Sequence, residues 1–219
     1  MKFRTNIMAV ILLASLAMTA FSEVMESELI FPQQNKHVHA ASIVECPNGD
    51  LLAAWFHGTG ERTADDVQIQ GARLRMNAGA WSDIFIMADV PGFPDCNPVL
   101  YVDAQERLWL FWTLVLANRW ENSLLKYVRA SRYTDDGPPQ WDWQDVILVQ
   151  PAGDFQKQLK SAFETLVPDE PMWAEYARPY AEMLIEAGED KLKRQIGWVT
   201  RIHPRSEERR VGKECRSRW

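Results

Sequence analysis

The sequence is poor in cysteine and histidine and has no excess of positive charge. Its 219 residues include three cysteines, four histidines, and 24 lysines and arginines against 30 aspartates and glutamates. So few cysteines exclude a disulfide-dense scaffold, and the net charge of −6 argues against a nucleic-acid binder, which presents a basic surface. With 47% hydrophobic residues, the chain is neither disordered nor of low complexity.

Long apolar runs are also missing, except at the N-terminus. Residues 1–22 combine two basic residues, an apolar run from Ile7 to Ala17 and a small-residue segment that ends at Ser22. This order is typical of a secretory signal peptide cleaved after Ser22, with an uncleaved membrane anchor as the alternative. The run is shorter than the ~20 apolar residues of a transmembrane helix. We therefore predict an exported protein, periplasmic or extracellular, that leaves the membrane once the signal is cleaved.

The C-terminal segment 205–219 has no apolar periodicity and carries six basic residues. As a functional tail it would suggest an anionic partner. It instead resembles a translated short-read sequencing adapter, beginning with Arg205-Ser206-Glu207-Glu208. We therefore expect the parent protein to continue beyond Pro204 in a different sequence. Without its two positively charged ends, the remaining chain is more acidic than the whole, which strengthens the case against nucleic acid as a partner.

Two hairpin-like segments repeat along the chain. Ala41–Trp55 and Pro98–Trp112 each contain an apolar strand, a polar turn and a second apolar strand, and align with an offset of 57 residues. A second echo pairs Trp81–Ile86 with Trp143–Leu148, at an offset of 62. Short strands that recur at ~50–60 residues are typical of β-propeller blades. Tandem β-sandwich domains are the alternative, but each unit is too small for its own two-sheet core.

After the second repeat the pattern changes to helical spacing. Apolar residues from Phe155 to Leu166 predict one helix, and Trp173 to Ala187 predict another after the Pro168–Pro171 break, with a kink or restart at Pro179. Strand character returns near Trp198. The predicted organisation is a signal peptide at 1–22, two blades at 23–154, a helical insertion at 155–195, the start of a third blade at 196–204 and the adapter-like segment at 205–219.

Two cysteines remain once the C-terminal segment is set aside. Cys46 and Cys96 could pair in an oxidising compartment. They occupy non-equivalent places in the two repeats. We therefore predict two unpaired, partly buried thiols.

Several segments together resemble the bacterial sialidase-like (neuraminidase, BNR-repeat) family. The resemblance covers most of residues 37–204 and rests on His39–Val44, Asn48–Glu61, Asp65–Ile69, Pro91–Leu100, Trp109–Trp112 and Gly197–Pro204. It implies an all-β fold, a fragment of a six-bladed β-propeller that holds about two blades and the start of a third, with a helical insertion.

The resemblance also implies a function. The expected activity is that of an exo-glycosidase that hydrolyses terminal sialic-acid-like or other acidic sugars, with a glycan as substrate and no cofactor. The nucleophilic tyrosine and its glutamate would lie beyond residue 204, so the fragment alone is expected to be inactive. The alternatives are a non-catalytic propeller that binds carbohydrate or protein, and a propeller that cleaves a neutral or uronic sugar.

Site residues follow from the resemblance position by position. Asp66 is the expected general acid/base, with Asp65 as its neighbour in the same loop. His39 stands where the family has its first substrate-binding arginine, and Arg62 lies in the loop where a second is expected. Asn97, Arg201 and His203 are the remaining candidate substrate-binding residues.

Each candidate has a structural alternative. His37 and His39, two residues apart, could share one face of a strand and bind a metal, but no third ligand is apparent in the sequence, so we predict no metal. Arg62 could instead form an exposed ion-pair cluster with Glu61 and Asp66. Asn97, before a proline, has the features of a turn or strand-start residue.

Overall fold

The structure is a computed structural model that describes residues 27–148, 153–164, 171–190, 202 and 204. The predicted signal peptide, most of the predicted third-blade segment and the adapter-like segment lie outside these residues, as do Arg201 and His203. Of the described helices, none is both long enough and apolar enough to cross a bilayer.

In the described part of the chain, eight strands form two four-stranded antiparallel sheets, each with its strands in sequence order. The first sheet contains β1 (His37–Glu45), β2 (Leu51–Gly58), β3 (Gln68–Leu74) and β4 (Phe85–Ala88). The second contains β5 (Asp95–Val102), β6 (Leu108–Val115), β7 (Ser123–Ala130) and β8 (Trp143–Ile147). Two helices follow, α1 (Phe155–Glu164) and α2 (Pro171–Glu189), and α2 runs through Pro179 without a break.

The strand register confirms the 57-residue repeat. His39 pairs with Phe56 in the first sheet, and Cys96 pairs with Thr113 in the second, each 57 residues further on. Both first strands carry a bulge directly after this pair, with Ala40 and Asn97 at positive φ (53° and 54°). Asparagine tolerates this conformation better than most residues, which gives Asn97 a structural reason to be there.

The second predicted echo was aligned two residues too far along. The Ser82 amide donates to the Arg73 carbonyl, and the Asp142 amide donates to the Arg129 carbonyl in the second sheet. Ser82 is therefore equivalent to Asp142, so Trp81 corresponds to Trp141 rather than to Trp143. Tryptophans stand at both 141 and 143, and the sequence pattern matched the wrong one of the two.

The two sheets stack in the manner of consecutive propeller blades. The first sheet packs its Leu52, Ala54 and Phe56 face onto the Leu110 and Trp112 face of the second. In the first sheet, the face equivalent to that of Trp112 contains Trp55. This face points away from the second sheet. Each sheet thus turns the same face in the same direction, as successive blades do. The predicted all-β, partial-propeller fold is confirmed, and we call β1–β4 the first blade and β5–β8 the second blade.

Direct contacts fix the two blades together. The Leu100 amide donates to Ser42 Oγ at 3.0 Å, and the Asp95 amide donates to the Val67 carbonyl at 2.9 Å. The thiols of Cys46 and Cys96 are free, as predicted, and they are fully rather than partly buried. Because burial disfavours the thiolate, the pKa of Cys96 rises to about 12.

Candidate functional site

The start of β1 presents two histidines above one aromatic ring. His37 and His39 lie on the same side of the strand, where both imidazoles stack on Phe56, with ring centroids 5.5 and 5.6 Å away. His37 Nε2 lies 3.2 Å from His39 Nδ1. Phe56 is fully buried in the interface between the blades, so it provides a fixed support for exposed polar groups.

The loop between β2 and β3 brings an acidic side chain to these histidines. Glu61 Oε1 lies 3.5 Å from His39 Nδ1, and Glu61 Oε2 lies 3.9 Å from Arg62 Nη1. The loop can return this closely because Gly58 has no side chain, since a Cβ there would lie 2.7 Å from the Val67 Cα. Of the two predicted ion-pair partners of Arg62, the structure shows Glu61, which also reaches His39, whereas Asp66 pairs with Lys36.

The same loop gives different partners to Asp66, the expected general acid/base, and to its neighbour Asp65. Asp65 Oδ1 accepts a hydrogen bond from Asn118 of the second blade at 3.1 Å. Asp66 turns the other way: its Oδ2 lies 3.0 Å from Lys36 Nζ, and its Oδ1 accepts hydrogen bonds from the Thr59 hydroxyl and amide at 2.7 and 3.0 Å. Asp65 thus ties the blades together, and Asp66 faces the exposed side with 40% of its side chain accessible.

These contacts keep Asp66 ionised. The Thr59 hydroxyl and amide, followed by Lys36, hold the pKa of Asp66 far below its usual range. Nearby, burial lowers the pKa of His57, and Lys36 lowers it further. The Asp66 carboxylate is therefore charged and paired with Lys36 at this edge of the first blade.

Comparison with known proteins places the fold in a family. Residues 49–172 match the BNR repeat-like domain family. The chain belongs to this family. Its fold is also similar, at a TM-score of 0.42 and 15% identity, to a family 117 glycoside hydrolase produced by the marine bacterium Zobellia galactanivorans; the match covers 57% of this chain and 44% of that chain. The chain thus spans less than half of that enzyme. Among curated proteins, none matches.

The BNR repeat-like chain brings together only some of the residues expected at its site. His39 and Arg62 are linked through Glu61, and Asp66 lies on the same loop as Glu61. Asn97 is half-buried at the bulge of β5. Arg201 and His203 fall outside the described residues, so their roles stay predictions.

Sequence reasoning missed Lys36, and it considered Glu61 only as a partner of Arg62, without its contact with His39. Glu61 lies 22 residues from His39, and only the return of the β2–β3 loop brings it there. Lys36 immediately precedes β1, which was a signal that it would lie near His37, but nothing in the sequence indicated its pairing with Asp66, 30 residues away.

Proposed function

We propose that this chain is part of an exported sialidase-like exo-glycosidase that hydrolyses terminal sialic-acid-like or other acidic sugars. The observation that carries the proposal is that the β2–β3 loop of a BNR-repeat fold holds two carboxylates, each paired with a cation: Glu61 with Arg62, and Asp66 with Lys36. Cations suit the carboxylate of an acidic sugar, and protein carboxylates suit the positive charge that develops on the ring as the glycosidic bond breaks.

A role for Asp66 as the general acid requires a change at its Oδ2 atom. A general acid must hold a proton near neutral pH, whereas Lys36 and Thr59 keep Asp66 ionised in the free protein. A substrate carboxylate that attracts Lys36 would remove one positive charge and add a negative one beside Asp66. Both changes raise the pKa of Asp66. Its Oδ2 could then hold the proton while Oδ1 keeps its hydrogen bonds from Thr59.

The parent protein, completed with the sequence that follows Pro204 in its source DNA, tests this role. We expect Asp66→Asn to lower the turnover of a fluorogenic sialoside by about 10²–10⁴-fold, the contribution typical of a general acid. Asp65→Asn is the matched control, because the neighbouring carboxylate is also exposed but contacts Asn118 rather than Lys36 and Thr59. Turnover by Asp66→Asn at the unsubstituted rate would overturn the assignment.

The 219-residue chain gives a second, independent measurement. We expect no hydrolysis of the sialoside by this chain alone, because the family's nucleophile is expected in later blades. Measurable turnover would show that these 219 residues suffice for hydrolysis.

One observation favours a second function, that of a non-catalytic propeller that binds carbohydrate or protein. Both carboxylate oxygens of Asp66 are occupied, by Lys36 on one side and Thr59 on the other, as in a permanently ionised structural group. A binding protein of this kind would show saturation-transfer NMR contacts with a sialoside and no turnover in the completed parent protein.

A further inference from the structure

We propose that His37, His39 and Glu61 form a binding site for a single divalent transition-metal ion, and that Zn²⁺ fits it best. One ligand atom from each of these three side chains lies within 4.8 Å of the other two. The inference concerns metal binding by this chain and does not depend on the proposed glycosidase activity.

The distances match a tetrahedral metal site. Zinc binds imidazole nitrogen and carboxylate oxygen at about 2.0–2.2 Å, which separates neighbouring ligand atoms by about 3.3–3.5 Å in a tetrahedron. His37 Nε2 and His39 Nδ1 are 3.2 Å apart, and His39 Nδ1 and Glu61 Oε1 are 3.5 Å apart. The third pair, His37 with Glu61, lies within 4.8 Å, and the Glu61 side chain would have to rotate to bring it to the same spacing.

The donor set and its surroundings indicate which metal and which coordination. Two imidazoles and one carboxylate suit zinc better than calcium or magnesium, which prefer all-oxygen sites. Three protein ligands leave a fourth position open, and the His39 side chain is 60% accessible, so water or a ligand oxygen can reach it. The site would therefore be of the open type rather than a closed structural site.

The scaffold supports the two imidazole rings and the loop that carries Glu61 before any ion binds. Phe56 supports both imidazole rings from below, and the β-bulge at Ala40 directly follows His39. The loop that carries Glu61 is anchored by Asn118, whose side chain donates to the Arg62 carbonyl at 2.9 Å. Pre-positioned ligands lower the ordering cost of binding.

An ion-free cluster accounts for the same distances in another way. One imidazole N–H can donate to the other ring, while the Glu61 carboxylate is shared between His39 and Arg62. This arrangement needs no metal, and it predicts no measurable zinc affinity.

Zinc titration of the full chain distinguishes the two arrangements. The chain is purified without a histidine tag and with Cys215→Ser, so that neither the tag nor that thiol binds zinc. Isothermal titration should give about one Zn²⁺ per chain. We expect His39→Ala and Glu61→Gln each to weaken binding at least tenfold, because removal of even an outer-shell partner costs about 10–100-fold.

Glu45→Gln is the matched control, an exposed glutamate at the far end of the same strand, and its zinc binding should be unchanged. Near-ultraviolet circular dichroism checks that each variant is folded. Should His39→Ala fail to fold, the loop variant Glu61→Gln still decides the question. With Co²⁺ in place of zinc, the unsubstituted chain should give the intense visible bands of a four- or five-coordinate ion. Absence of zinc binding, full binding by Glu61→Gln, or the weak spectrum of hydrated Co²⁺ would overturn the proposal.

Discussion

The two blades share one strand register, yet they place very different groups at the start of their first strands. In the first blade, the exposed His39 pairs with Phe56, and the β2–β3 loop brings Glu61 to it. At the equivalent position of the second blade, Cys96 pairs with Thr113, and both are fully buried. The repeated backbone therefore does not determine where a site forms. The site forms where the neighbouring loop and blade leave the start of the strand open to solvent.

A second pair of equivalent positions differs in how a buried indole is satisfied. Trp112 Nε1 donates to Asp95 Oδ1 at 2.6 Å, whereas the Nε1 of its equivalent, Trp55, is buried with no hydrogen-bond partner among the described residues. The position of Asp95 is taken in the first blade by Val38, 57 residues earlier and 39% accessible. The second blade thus contains a buried carboxyl group that pairs with its indole. The first blade instead leaves the buried indole N–H of Trp55 without a partner among the described residues.

The largest expected effect comes from removing the buried carboxyl group. Asp95 also accepts a hydrogen bond from the Val90 amide at 2.6 Å, so Asp95→Ala leaves two donors unpaired in the interior. Each unpaired buried group costs about 1–3 kcal/mol. We expect the free energy of unfolding, measured with urea on the full chain, to fall by about 2–4 kcal/mol.

Val38→Ala is the control for this variant, because it shortens the side chain at the equivalent position of the first blade. We expect it to cost about 1 kcal/mol or less, since Val38 is partly exposed and accepts no hydrogen bond. Equal losses for the two variants would mean that the polar contacts of Asp95 contribute nothing.

The next largest effect is expected in the pH dependence of stability, because the second blade buries the carboxyl group of Asp95 where the first blade has Val38. Burial raises the pKa of Asp95 to about 7, against about 3.9 in an unfolded chain. Between these values the folded protein holds the extra proton, so Asp95 makes stability fall as pH rises from about 4 to 7 and adds no change above that. The slope is at most about 1.4 kcal/mol per pH unit.

Asp95→Asn isolates this contribution from others of opposite sign. Burial lowers the pKa of His57, so that histidine makes stability rise with pH in a window below about 6.5. The free energy of unfolding is measured with urea at pH 5, 6, 7 and 8. Its value for the unsubstituted chain minus its value for Asp95→Asn should decrease up to about pH 7 and then level off. A constant difference would show that Asp95 has an ordinary pKa.

The two blades also show which parts of the fold could be predicted from the sequence. The alignment of Trp55 with Trp112 was recoverable because both hairpins end in the same apolar pattern, and the register confirms it. The outer strands were misaligned because β4 and β8 are short, with Met87 their one fully buried residue, and tryptophans stand at both 141 and 143. Strong alternation fixes inner strands, whereas a short edge strand carries too few apolar residues to fix its register.

The candidate site was less predictable than the fold. His37 and His39 lie on one strand, so their spacing alone placed both rings on the same side. The contribution of Glu61 depends on how a nine-residue loop folds back, which Gly58 permits through a contact that no local pattern encodes. Likewise, the contact of Asp65 with the second blade depends on Asn118, which lies 53 residues further along the chain.

The smallest expected effect tests whether the first blade can be given the hydrogen bond that it lacks. Val38→Asn places an amide oxygen at the position equivalent to Asp95. In the strand register, this position is related to Trp55 as Asp95 is related to Trp112. A double-mutant cycle with Trp55→Phe should give a coupling of about 0.5–1.5 kcal/mol, the net contribution of one hydrogen bond. Val38→Asn by itself should change stability little, because the new bond offsets the loss of a partly buried valine. Zero coupling, measured by urea unfolding of the four proteins, would mean that the indole of the first blade does not present its N–H to β1 as the second blade does. The partner of Trp112 would then be a local feature of the second blade rather than a property of the repeated position.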